Sequence, residues 1–230
     1  MYFQHSSEIW RDYPELAPGV ILAEGITSDV TVDSRLEPFT IIAKERLAGA
    51  TESELPEIQA WRRAFSKMGL KPTQYRCASE SLLRRFRKEG SLPRIHPLID
   101  LCNAVSVAFA TPVAVFDVAQ VTEWLEVRHA SGDEAYLTFS GDIEHPEPHE
   151  VIFADASEQA HARRWTNRQS GKSAVRDATT SVLIVAEAMH ESASTDIERL
   201  VATLANELNA AWSVTPRNAK LSQSSPSFEF

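Results

Sequence analysis

The chain has 230 residues, 43% hydrophobic and 24% charged, with a formal net charge of -9. That length suits one large domain or two small ones, with roughly 70 to 75% of the unfolded surface buried on folding, and the acidic balance excludes a general nucleic-acid binder, which needs clustered cations. No apolar run reaches the roughly 18 residues of a membrane span, the first ten residues are too polar for a signal-peptide core, and Cys77 and Cys102 make neither a disulfide framework nor a zinc pattern, so a cytoplasmic protein with no membrane partner, no metal and no cofactor is expected.

Tyr2-Phe3-Gln4-His5 carries no assignable signal. Val20–Ala23, Val30–Val32 and Phe39–Ala43 read as three strands, separated by Gly25, Asp33-Ser34 and Pro38. A helix is predicted from Ser53 or Glu54 to Lys67, with Leu55, Ile58, Trp61, Ala64, Phe65 and Met68 inward and Gly69 past its end. Arg62 and Arg63 point elsewhere and are expected to be solvated. The segment from Pro72 to Pro93 holds a second helix, with Ser79 as its N-cap, Leu82, Leu83 and Phe86 buried and Gly90 just beyond. Its outer face carries Arg84, Arg85, Arg87 and Lys88. From Trp61 to Arg94 ten basic residues stand against Glu80 and Glu89. Such a segment is either an ordinary solvated face or a positive patch on an acidic protein.

The most informative stretch runs from Ile95 to Asp117. Pro97 suits a first helical position, and Leu98, Leu101, Cys102, Val105 and Phe109 form one wide apolar helical face. Val113, Val115 and Phe116 then make a short buried strand. Asp100, Asn103 and Ser106 lie along one stripe of the helix. An unpaired buried polar group costs roughly 1 to 3 kcal/mol, so these side chains either bond neighbouring loop backbone or form the floor of a pocket.

Leu125–Arg128, Ala135–Phe139 and Glu150–Phe153 alternate as strands with turns at Gly132, Gly141 and Pro146, and Asp155 follows the third. His145 and His149 are four apart, but Pro146 and Pro148 forbid the helix that would make them a zinc pair. A second polar cluster holds Arg163, Arg164, Trp165, Asn167, Arg168, Arg176, Thr179 and Thr180. Ser170-Gly171-Lys172-Ser173 imitates the end of a P-loop, yet Thr166 stands where that motif needs glycine. Trp165 is either core or a pocket wall. Arg168 either clamps a carboxylate, phosphate or oxyanion, or pairs with an acid such as Asp155. Ser181–Glu187 is the last strand, and Thr195 with Glu198 forms a capping box for a helix whose Ile197, Leu200, Val201, Leu204 and Leu208 run in one stripe to Trp212. These elements predict a single domain over residues 1–214, with a polar tail over 215–230 that is expected to be mobile.

The order Ile99-Asp100-x-x-Asn103-x-Val105, then Thr111-Pro112, then Phe116-Asp117 resembles the B3/B4 domain of the phenylalanyl-tRNA synthetase beta subunit. There a V-D-x-x-N-x-V helix runs into a Q-P-x-x-x-F-D strand. Tyr75-Arg76 with Ser79, Leu83, Arg84 and Arg85 is similar to the Y-R-x-S-x-x-x-L-x-R-R run of freestanding B3/B4 proteins. Trp165 and Arg168, followed by Thr179 and Thr180, also resemble those members, and the likeness extends from about Trp61 to Glu187. It implies an α+β B3/B4 fold, mixed sheets in an unusual sandwich with flanking helices. It also implies an editing pocket, which in the synthetase hydrolyses tRNA wrongly charged with tyrosine.

By this resemblance Asn103 and Arg168 are the catalytic candidates, and Arg76, Ser79, Asp100, Ser106, Ala114, Trp165 and Thr179 would surround the substrate. Arg84, Arg85, Arg87 and Lys88 would hold tRNA phosphates. The synthetase strand reads P-M-H-A-F-D, and its pocket histidine corresponds to Ala114 here, which counts against tyrosine-specific editing. With no G-x-S-x-G serine and no paired cysteine and histidine, hydrolysis would rest on a positioned water. Two functions follow from the resemblance: a trans-acting aminoacyl-tRNA deacylase, or a non-catalytic module that binds tRNA or a free amino acid-like ligand in the same pocket. No spare apolar stripe demands a dimer, so a monomer is expected.

Overall fold

The computed structural model describes all 230 residues. In chain order the elements are β1 (Tyr2–His5), α1 (Ser7–Asp12), β2 (Ala17–Glu24), α2 (Asp33–Gly49), α3 (Pro56–Lys67), α4 (Ala78–Glu89), α5 (Pro97–Phe109), β3 (Val113–Asp117), β4 (Trp124–His129), β5 (Tyr136–Leu137), β6 (Ile143–Glu144), β7 (Val151–Asp155), β8 (Ala160–Arg163), β9 (Arg168–Gln169), β10 (Ser181–Ala188), α6 (Ala193–Trp212), β11 (Arg217–Lys220) and β12 (Ser227–Glu229). Two sheets face each other. One has the order β12-β1-β4-β7-β8-β9, the other β11-β2-β10-β3, and β5 pairs with β6 as a separate hairpin. Every pairing is antiparallel except β1 with β4, which makes the larger sheet mixed.

Side chains alternate across each strand, so the smaller sheet feeds two cores. On β10, Val182, Ile184 and Ala186 join α2, α5 and α6 in the outer core, while Leu183 and Val185 join Phe3, Leu125, Val127, Phe153 and Trp165 between the sheets. Burial on both faces explains why β10 reads as a continuous apolar run rather than an alternating one. Helix α6 reaches β2 closely because Gly19 has no side chain. A Cβ there would stand 2.4 Å from Val201 Cγ2.

Val20–Ala23 lies within β2 as expected, but the next two strands do not form. Residues 33–49 are helix α2, with Leu36, Phe39 and Ala43 buried at helical spacing. Pro38 looked like a strand break, yet it sits inside the helix, just past its first turn, and removes one backbone bond there. Ile41 and Ile42, the β-branched pair that suggested a strand, lie on the exposed side. At α4, Cys77 and not Ser79 is the N-cap, and Ser79 is buried in the first turn, 3.4 Å from Cys77 Sγ. Helix α6 begins at Ala193 without a side-chain cap, so Thr195 and Glu198 form no capping box, and Glu198 pairs with Lys220. Where the sequence led us to expect a mobile tail, β11 instead extends the smaller sheet beside β2 and β12 closes the larger one beside β1.

Candidate functional site

The two sheets meet at an edge. Strand β3 ends the smaller sheet and β9 ends the larger one. Gln169 Nε2 on β9 donates to the Val115 carbonyl on β3 at 2.5 Å, and the Asp117 N–H donates to the Ser173 carbonyl at 3.0 Å. These bonds satisfy edge groups that would otherwise be open for pairing. Tyr136 Oη anchors the same strand from behind by donating to the Gln169 carbonyl at 2.7 Å. Beside this junction lies a small cleft of about 60 Å³. One water needs roughly 10 to 15 Å³ on this measure, so the floor has room for several.

The cleft is lined from β3 by Val113 and Ala114, from β10 by Val185 and Glu187, from the larger sheet by Phe153 and Ala162, and from the 165–169 segment by Trp165 to Gln169. Ala78, the first residue of α4, closes one side. Arg168 and Glu187 are the only charged residues of the lining, on strands of different sheets. The Arg168 guanidinium turns with that of Arg163 to Glu144 and the Tyr136 ring on the outer face of the larger sheet.

Trp165 is fully buried and is both core and cleft wall. Its ring meets Trp61 and Tyr13 edge-on, with centroids 5.1 and 4.8 Å away. Burial in this aromatic box pushes the Tyr13 hydroxyl up to about 12. Arg164 and Trp165 both have left-handed backbone, with φ of 47° and 57°. For a bulky aromatic residue that conformation is strained. It is held by the Trp165 N–H donating to the Val151 carbonyl at 2.7 Å and by its indole Nε1–H donating to Glu187 Oε1 at 2.9 Å.

Glu187 points between the sheets, where an isolated charge would be costly. Two donors compensate it. His5 Nε2 lies 2.7 Å from the same Oε1, with both side chains almost entirely buried. A carboxylate only accepts, so His5 Nε2 carries the proton of this bond, and Nδ1 has no partner. Oε2 accepts nothing from the protein and belongs to a residue on the cleft wall. Sequence reasoning missed both residues. Glu187 had a legible signal, since it occupies the same face of β10 as Leu183 and Val185. His5 had none, because only the parallel pairing of β1 with β4 brings it there.

Of the residues predicted for the site, the structure gathers Ala114, Trp165 and Arg168 in the cleft. Arg76 reaches its rim through the backbone, its carbonyl accepting from Asn167 Nδ2 at 2.7 Å. Arg168 does not pair with Asp155. Its Nη1 donates to Glu144 Oε2 at 3.0 Å, its plane lies over the Tyr136 ring, and its side chain remains 39% exposed. Asp155 is instead bound by His161 and by the amides of Thr122, Ser157 and Gln159. Asp100 accepts from the Ile95 N–H at 2.9 Å, and Ser106 donates to the Thr111 carbonyl at 2.7 Å, so both bond local backbone and neither lines the cleft. Asn103 is partly exposed on α5, makes no side-chain hydrogen bond and is not a cleft residue. Thr179 is buried and donates to Asp117 Oδ2, and Ser79 is buried beside Cys77; neither lines the cleft.

The basic residues divide into two groups. Arg84 and Arg87 both pair with Glu52, and Arg62 and Arg76 both pair with Glu80, each carboxylate being buried. Arg62 is therefore not a solvated charge. Arg85 bridges only to exposed Glu89 within its own helix, and Lys88 makes no ion pair. All four cations of α4 still frame one open surface.

A family model described as the B3/4 domain matches residues 60–207, well over half of the chain and all of the cleft. The chain belongs to the B3/4 domain family. Curated relatives of this B3/4 protein include the phenylalanine–tRNA ligase beta subunit of Shewanella oneidensis, 32% identical over 101 residues, which are 44% of this chain and 12% of that subunit. The corresponding subunit of Coxiella burnetii is 38% identical over 53 residues, 23% of this chain and 7% of the relative. The matched stretches thus span about an eighth or less of these relatives. Among solved structures, an N-terminal fragment of the phenylalanyl-tRNA synthetase beta subunit from Pyrococcus horikoshii superposes with a TM-score of 0.50 at 7% identity, covering 95% of this chain and 53% of that one. That likeness supports the expected α+β B3/B4 architecture. No helix of the protein is long and apolar enough to cross a membrane.

Proposed function

We propose that this B3/4 protein binds the aminoacyl end of tRNA in the cleft and hydrolyses a mischarged aminoacyl ester in trans. One observation carries the reading: α4 begins at the cleft with Ala78 and carries Arg84, Arg85, Arg87 and Lys88 in its second half. At 1.5 Å per residue its basic end lies about 15 Å from the cleft along the helix axis. A nucleic acid with its acceptor end in the cleft would run its phosphates along that helix. The curated relatives named above are tRNA ligase subunits, which supports tRNA as the polyanion.

An aminoacyl ester is already activated, so hydrolysis needs an oriented water and donors for the developing oxyanion more than a covalent nucleophile. Arg168 supplies the donors in this reading once its guanidinium leaves Glu144 and the Tyr136 ring. Its partner Glu144 is itself partly exposed, and a ligand carbonyl or phosphate competes with it on even terms. Ala114 leaves the β3 wall without a histidine, which is the observation favouring the second reading, a non-catalytic module for tRNA or an amino acid-like ligand.

A panel of correctly and wrongly charged tRNAs decides between them. Turnover confined to one aminoacyl group, and lowered roughly 100-fold in Arg168→Ala, is the expected result. No turnover with tRNA still bound would leave the binding module, and neither turnover nor binding would remove tRNA as the ligand.

A further inference from the structure

Resting on the deacylase reading, we infer that Glu187 is the general base of the cleft and that His5, from the opposite end of the chain, is the residue that positions it. Three features of the geometry lead there. Glu187 Oε1 is fixed by two donors, the indole of Trp165 at 2.9 Å and the imidazole of His5 at 2.7 Å, while Oε2 is left unbonded on a cleft residue. A carboxylate pinned by one oxygen presents the other in a single orientation. The neighbouring cleft floor has space for water, and Glu187 is the one acidic residue that lines it. Strain is also concentrated here, since the residue that donates to Glu187 is the left-handed Trp165.

The step balances without any further reactant. A water oxygen bonds to the ester carbonyl carbon as its proton passes to Glu187 Oε2, leaving a tetrahedral oxyanion. Collapse of that intermediate breaks the bond from the carbonyl carbon to the ribose oxygen, and the leaving ribose oxygen takes the proton back from Glu187. The products are a free amino acid and a free tRNA hydroxyl. His5 touches neither reactant and acts by holding the carboxylate. Of the two donors to Glu187, Trp165 lies within the matched residues 60–207 and His5 outside them.

The test is the pH profile of single-turnover deacylation for wild type, Glu187→Gln, Glu187→Asp, His5→Gln and His5→Ala, each first checked for a cooperative thermal transition. Wild type should show an acid limb in its rate, as general-base catalysis requires. Glu187→Gln keeps the shape but should be slowed roughly 100-fold and lose that acid limb, with tRNA affinity within about twofold of wild type. Glu187→Asp, which retains the charge, should retain the limb at a reduced rate. His5→Gln can still donate to Oε1 and should recover most of the rate lost in His5→Ala. A folded Glu187→Gln protein that keeps the limb and a rate within about threefold would overturn this inference while leaving the deacylase reading intact. Absence of turnover in wild type would overturn both.

Discussion

His5 Nε2 and Glu187 Oε1 lie 2.7 Å apart, in side chains that are almost wholly buried and 182 positions apart in sequence. This hydrogen bond joins the larger sheet to the smaller one through the core between them. Hydrogen bonds to charged groups contribute roughly 1.5 to 3 kcal/mol, and losing a partner also strands the carboxylate. His5→Ala should therefore destabilise the protein by about 2 to 3 kcal/mol. In a double-mutant cycle with Glu187→Ala the two losses should fall well short of adding, as measured by denaturant unfolding.

The two groups of cations on α4 predict opposite phenotypes. Arg85→Ala with Lys88→Ala should weaken RNA binding and shallow its salt dependence by about one to two units of slope, with stability changed by less than about 0.5 kcal/mol. Arg84→Ala with Arg87→Ala leaves the buried Glu52 carboxylate uncompensated and should cost about 3 kcal/mol. Adding Glu52→Gln should restore that stability. Unfolding curves and binding titrations at several salt concentrations separate the two effects.

Acid should destabilise the protein through two carboxylates. Burial opposes ionisation of Glu134, but the amides of Ser131 and Gly132 and the Arg128 guanidinium outweigh it and hold the carboxyl at about 2. Asp155 is also held below its ordinary range, burial again being outweighed by His161 and the amides of Gln159 and Thr122. The unfolded chain binds these protons first, so the stabilisation is complete above the ordinary carboxylate range and is lost as pH falls from about 4.5 towards 2. Glu134→Gln and Asp155→Asn should be less stable than wild type at pH 7, with the gap narrowing over that window. Urea midpoints between pH 2 and pH 7 check the direction.

Gly19→Ala should destabilise by about 1 to 3 kcal/mol although it adds one methyl group, because the new Cβ would meet Val201 Cγ2 at 2.4 Å and Ile197 Cγ2 at 2.8 Å. Val201→Ala in the same chain should recover part of the loss. Thermal unfolding of the single and double variants measures this directly.

Elements whose packing and periodicity agree were legible in the sequence. Helices α3, α4 and α5 carry apolar residues at helical spacing, and the glycines after α3 and α4 both have positive φ. Helix α2 was not legible because its solvent face carries Ile41-Ile42 and its interior carries Pro38, two local signals for extended chain that burial of Leu36 and Phe39 overrides. In the cleft, Ala114, Trp165 and Arg168 were reached through motif resemblance. Asp100 and Ser106 were drawn in by the same motif, although their polar atoms serve turns around α5. The charge on Glu187 was visible as one acidic residue in an apolar strand, but its partner depended on a strand pairing that no local pattern encodes.

The cleft as the seat of the aminoacyl group is tested most directly by the Trp165 indole N–H, one of five tryptophan indoles in the chain and the one that donates to Glu187. We would follow the indole resonances by NMR, assigned with Trp165→Phe, while titrating a series of 3′-aminoacylamino-3′-deoxyadenosines as non-hydrolysable mimics of the tRNA end. The account predicts a saturable shift of the Trp165 resonance, largest among the five, for one aminoacyl group and absent in Arg168→Ala. Saturable binding that moves other indoles and leaves Trp165 in place would contradict it.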